Sequence, residues 1–137
     1  MSFVPARRAV ATYPIKATVY DENGEKSQIE FIGIYVRDSI KTVDDLRLAL
    51  ANKNYQARVG EPLKRPDGST PPEWSYDTDF AFISDKLVGW KDVKSADGAE
   101  LPYSAERLKT MLDDYPELAI PLFGGYFDAH QGIREKN

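Results

Sequence analysis

Apolar and polar positions alternate most clearly near the N-terminus. In the stretch TYPIKATVY, residues 12–20, Ile15, Ala17 and Val19 fall on one side and Lys16, Thr18 and Tyr20 on the other. That period of two predicts a half-buried strand, with Pro14 near its start or on a sheet edge. Asp21–Glu25 reads as a turn in which Asn23-Gly24 supplies the left-handed positions of a tight hairpin. The returning strand, 27–37, sets Ile29, Phe31, Gly33 and Tyr35 one way and Glu30, Ile32, Ile34 and Val36 the other. The second set turns apolar after Glu30, which suits a strand covered on both faces. Gly33 marks a bulge or a close backbone approach.

The pattern then takes on a helical period. Thr42 fits an N-cap, with Asp45 at the capping-box position, and Val43, Leu46, Ala49 and Leu50 form an apolar stripe running to about Asn54. A second helix is expected over 73–87, with Trp74, Phe80, Phe82, Ile83 and Leu87 on its apolar side. Val88–Val93 leaves that helix at Gly89, Trp90 and Val93 point inward, and Ser95-Ala96-Asp97-Gly98 turns the chain. Ser104 caps a third helix whose Leu108, Met111, Leu112 and Tyr115 recur at i, i+3, i+4 and i+7. Pro116 ends it, because the residue before a proline avoids the helical region.

The last segment, 116–130, joins large apolar groups to poor helix formers, with Pro121 and Gly124-Gly125 in its middle. Each glycine weakens a helix by roughly 1 kcal/mol against alanine. Two readings stand: the segment docks on the protein's own core, or part of it binds a partner, since aromatic residues are enriched at interface hot spots. The predicted fold class is α+β: an N-terminal antiparallel β-hairpin over about 12–37, then a small helical bundle of three to five helices. The sequence is read as one domain over 1–137, with a flexible arm at 1–11, a Pro/Gly-rich loop at 58–73 turning at Pro66-Asp67-Gly68, and a polar tail at 131–137.

Composition narrows the chemistry. The chain carries no cysteine, so disulfides and thiolate metal sites are excluded. A net charge of −4 gives no general attraction to nucleic acid or anionic membranes. No apolar run approaches the roughly 20 residues of a membrane span, and no apolar segment follows Arg7-Arg8 as in a secretory signal. The expectation is a soluble intracellular protein. The single histidine, His130, reads as a surface side chain. Glu73, Asp77 and Asp79 suit a helix start better than a metal site, and Asp44-Asp45 and Asp113-Asp114 sit at helix boundaries. Catalytic residues, cofactor and metal are each read as none, and the protein as not an enzyme.

One stretch carries a sharper signal. Trp90, Val93, Asp97-Gly98, Leu101-Pro102-Tyr103-Ser104, Leu108 and Leu112 occur in an order that resembles the tail assembly chaperones of long-tailed bacteriophages. The proline-led segment after Tyr115 and the N-terminal hairpin are similar to that family too, so the likeness spans 12–127 in outline. Ala105-Glu106-Arg107 departs from the Glu-Asn that often follows the serine there. The resemblance implies a factor that acts in the host cytoplasm, coats the tape measure protein, helps recruit tail tube subunits and leaves before the virion is complete. In many relatives a frameshifted longer form carries the tube-binding part. Homo-oligomers stay open. The expected client surface is Phe123, Tyr126 and Phe127, aided by Trp74 and Phe80. The alternative is a small structural tail or head–tail joining protein.

Overall fold

The computed structural model describes residues 2–131. Apart from Gln131, the tail expected at 131–137 lies outside the described residues. The chain divides into two compact units, Met1–Arg37 with Thr78–Asn137, and Asp38–Asp77. Among the described residues the fold is mixed α+β, with the predicted N-terminal hairpin followed by four α-helices and a third strand.

In the first unit, β1 (Val10–Tyr20) and β2 (Lys26–Val36) pair antiparallel along their full length, Val10 opposite Val36 and Tyr20 opposite Lys26. The strand thus begins inside the arm expected at 1–11. Ala11 is buried opposite Tyr35, and pairing with the end of β2 orders it. The expected inward faces hold, for Ile15, Val19, Phe31 and Tyr35 are all buried. The turn between the strands differs from expectation. Only Gly24 is left-handed, at φ 80°; Asn23 is not. Gly24 N–H bonds to the Asp21 carbonyl and Asp21 N–H to that of Glu25, which makes a three-residue loop closed by a left-handed glycine. The same hydrogen-bond pattern recurs at Arg65–Ser69 and Ser95–Ala99, with Gly68 and Gly98 in Gly24's place.

The helix expected over 73–87 is shorter. It is α2, Asp79–Lys86, capped by Thr78, whose hydroxyl accepts from the Ala81 N–H. Leu87–Lys91 is instead a third strand, β3, antiparallel to β2 in the order β1-β2-β3. Val88 and Trp90 match the β-branched and aromatic content of a strand and Gly89 does not, and five residues are too short for alternation alone to declare one. Ser104 caps α3 (Ala105–Asp114) as expected, accepting from the Arg107 N–H. Pro116–Leu118 forms a 3-10 turn that runs into α4, Ala119–Gln131, with Pro121 in the first turn, where proline is tolerated.

Helix α4 packs on β1 through a close approach at two glycines. A Cβ on Gly125 would lie 2.5 Å from the Tyr35 hydroxyl and 3.0 Å from Ile15 Cδ1, and one on Gly33 would lie 3.2 Å from both side chains. Tyr35 fills the space both glycines leave and donates its hydroxyl to the Leu122 carbonyl at 2.7 Å. Side chains, not backbone, crowd Gly33, and the β2–β3 register shifts just beyond it, between Ile34 and Tyr35. Gly125 is needed despite its low helix propensity. Gly124 faces open space.

In the second unit, α1 spans Ile40–Val59. Its N-cap is Ser39, not Thr42, and the helix runs five residues past Asn54 to a left-handed Gly60. Ser39 accepts from the Thr42 N–H, so Thr42 is already inside the first turn. Val43 and Ala49 are buried, Leu46 and Leu50 half-buried. The Asn52 side chain accepts from the Leu63 N–H at 2.7 Å and ties the following loop back to the helix. The Pro66-Asp67-Gly68 turn forms as expected, and Asp67 accepts from the Ser69 N–H and hydroxyl.

Candidate functional site

The candidate site lies in the first unit, where β3 gives out. β3 pairs with β2 only from Ile32 to Tyr35. The next residue, Asp92, sits at φ 66°, a left-handed conformation that aspartate tolerates better than most residues. It turns the chain out of the sheet. Val93–Leu101 then folds into its own small hairpin, closed by the Leu101 N–H to Val93 carbonyl bond and a Lys94–Glu100 bridge. Among the described residues, no strand pairs with Lys26–Phe31 on the side that β3 occupies further along.

A groove of about 520 Å³ opens beside that bare edge. Ile29 and Phe31 of β2, Val93 and Leu101 of the hairpin, Met111 of α3, and Leu118 supply its apolar lining. Glu30, Asp92, Lys94, Arg107, Asp114 and Tyr115 also border it. Asp92 and Asp114 make no ion pair among the described residues. Lys94 is held by Glu100, and Arg107 donates to the Pro102 carbonyl at 3.0 Å. Glu30 reaches Lys16 at 3.6 Å across the hairpin.

Trp90 makes the wall rigid. Its indole N–H donates to the Leu101 carbonyl at 2.7 Å, and its ring meets Phe31 and Tyr103 edge-on, with centroids 6.3 and 4.9 Å away. The Tyr103 hydroxyl donates to the Leu87 carbonyl at 2.9 Å. These bonds tie the hairpin and the start of α3 to β3. Burial pushes the Tyr103 hydroxyl above the ordinary tyrosine range. Asp97 accepts from Ser95 and from the Ala99 N–H, contacts that hold its carboxyl below the usual range and organise the hairpin turn.

The residues expected to meet a client are placed differently. Tyr126 is fully buried, so it offers no surface; the aromatic arm docks on the protein's own core. Phe82 of α2 gathers Phe123, Tyr126 and Phe127, with ring centroids 4.5, 5.3 and 5.7 Å away, and leaves Phe123 and Phe127 half-buried. The segment is helical, and residues three or four apart then share the face toward α2 and β1. Phe80 is exposed and lines a smaller cleft of about 200 Å³ with Leu112 and Pro116. Trp74 lies in the second unit beside Tyr76, where it borders a cleft of about 400 Å³ with Asn52 and Gln56. His130, expected at the surface, is half-buried and donates from Nδ1 to the Tyr126 carbonyl at 2.7 Å.

The helical period places Met111 on the apolar face of α3, and nothing in it singles out Asp92. The available signal was Lys91-Asp92, a charged break after an apolar strand at a residue type that accepts a positive φ. Among the described residues, no group of three or more His, Asp or Glu stands close enough to hold a metal. No helix there is long and apolar enough to cross a membrane. No protein-family model, curated protein or solved structure matches this chain.

Proposed function

We propose that this protein binds another protein reversibly, as a tail assembly chaperone of a long-tailed bacteriophage that engages the tape measure protein and helps recruit tail tube subunits in the host cytoplasm. The observation that carries the reading is the groove. It is open and lined by apolar groups, and it is built largely from the segment whose residue order resembles that family: Val93, Leu101, Arg107 and Met111 belong to it. A groove of about 520 Å³ falls in the usual size range of binding clefts and takes several apolar side chains. Shielding apolar segments of a long client is the chemistry such a surface provides. The client surface moves accordingly, from the aromatic arm to the groove, with Phe80 and the cleft beside it as an accessory.

The test is co-expression with the tape measure protein of the same phage. The wild-type chain keeps that protein soluble and co-purifies with it, and Met111→Lys abolishes both while the chain stays folded. Recovery of the client with Met111→Lys at the wild-type level sinks the assignment of the groove. Mass spectrometry of purified virions separates the rival reading, a small structural tail or head–tail joining protein. A chaperone is absent from the particle, whereas a structural part is present in fixed copy number.

A further inference from the structure

Resting on the reading of the groove as a client site, we infer that the bound segment is extended, adds to the open edge of β2 as a strand, and alternates apolar residues with lysine or arginine. The backbone carries the first part. Lys26–Phe31 is hydrogen-bonded to β1 on one side and to no strand among the described residues on the other. The left-handed Asp92 removes the chain that would have continued β3 along this edge. A bare edge next to apolar pockets is the arrangement by which proteins capture extended peptides: main-chain bonds give affinity and alternate side chains enter the pockets. Here Ile29 and Phe31 share one face of β2 and supply apolar lining, while Glu30 alternates with them at the groove's border. An added strand therefore lays every second side chain on the apolar lining and the intervening ones beside Glu30.

Charge carries the second part. Asp92 and Asp114 stand on the rim without an ion-pair partner among the described residues. Glu30 has one long contact with Lys16, and the Lys94 ammonium is neutralised by Glu100. Lys94, whose ammonium also feels Asp92, and Arg107 face Glu30, Asp92, Asp114 and Glu100, so carboxylates outnumber cations there, and the rim favours a basic segment and repels an acidic one.

Fluorescence anisotropy of the full chain tests this with a short labelled peptide alternating lysine with valine, a sign-reversed peptide alternating glutamate with valine, and a lysine–valine peptide N-methylated on the amides of one edge. The basic peptide binds. The acidic one binds at least about tenfold more weakly, and methylation, which spares the side chains but removes the ladder donors, abolishes binding. The double variant Asp92→Asn, Asp114→Asn narrows the gap between basic and acidic peptides without moving the thermal midpoint, since asparagine also accepts a left-handed φ. Equal binding of basic and acidic peptides, undiminished binding of the methylated peptide, or binding of none overturns the inference. The two readings fail separately. Client solubilisation without peptide binding leaves the chaperone reading and removes the strand; peptide binding without solubilisation does the reverse.

Discussion

The C-terminal half of β2, Ile32–Val36, pairs with β1 on one side and, from Ile32 to Tyr35, with β3 on the other, and its Tyr35 is clamped by α4. The N-terminal half, Lys26–Phe31, pairs with β1 alone and borders an open groove. The two halves belong to one strand with one alternation of side chains, yet one is a finished core and the other an unfilled surface. Composition makes part of the difference, for Lys26–Phe31 carries Lys26, Ser27, Gln28 and Glu30, whereas Ile32–Val36 has no charged residue. The rest comes from what other parts of the chain bring to each: β3 and a helix held close at Gly125 to the first, a left-handed aspartate that withdraws the neighbouring strand to the second.

That contrast can be broken or sharpened by substitution. The largest effect falls at Gly125→Ala, whose methyl would meet the Tyr35 hydroxyl at 2.5 Å. Overpacking a filled site of this kind destabilises by about 3 kcal/mol, read as a lower midpoint in chemical denaturation. Adding Tyr35→Phe, which deletes the clashing oxygen, recovers part of the loss; a strictly additive double variant would show that Tyr35 does not set the size limit there.

Tyr35→Phe alone loses about 1 kcal/mol with its bond to Leu122 and changes the alkaline response. Burial, and after it the charge of Asp128, push the Tyr35 hydroxyl far above the ordinary tyrosine value. A group raised in the folded state contributes fully below its unfolded pKa of about 10 and loses that contribution as pH rises further. Stability of the wild type therefore falls above pH about 10, and Tyr35→Phe makes that decline shallower. Thermal melts across that range decide it; parallel slopes for the two proteins exclude the assigned role.

Gly124→Ala reverses the sign one residue away. The new methyl meets nothing within 4 Å, and α4 gains up to about 1 kcal/mol from the better helix former, seen as a raised thermal midpoint. A loss comparable to that at Gly125 would mean that the close approach extends over both glycines.

The smallest effect on stability comes from the groove. Met111→Gln changes it by less than about 0.5 kcal/mol because the side chain is only half-buried. It weakens client capture in a pull-down, where Met111→Leu retains it.

Much of this was legible in the chain itself. Ile15, Val19, Phe31 and Tyr35 declared the inward face of the hairpin by their spacing, because a strand sends alternate residues to opposite sides. Ser104 and the turn at Asp97-Gly98 were legible because caps and tight turns are local chemistry, a side-chain oxygen or a residue without Cβ within a few positions. The α1 boundary differs from expectation because Ser39 and Thr42 are both competent caps, and Ser39 takes the role by accepting from the Thr42 N–H. β3 was missed because a short strand exists only by virtue of the neighbour it pairs with.

What tertiary structure alone decided is which apolar groups are spent. Tyr126 and Met111 both looked like apolar residues needing a partner. Tyr126 found one in Tyr35 and Phe82, with ring centroids 6.2 and 5.3 Å away, while Met111 was left lining a groove. Periodicity reports that a side chain favours leaving water. It does not report whether the same chain supplies the surface that receives it, since that depends on residues distant in sequence, here a helix held close by Gly125 and a strand turned aside at Asp92.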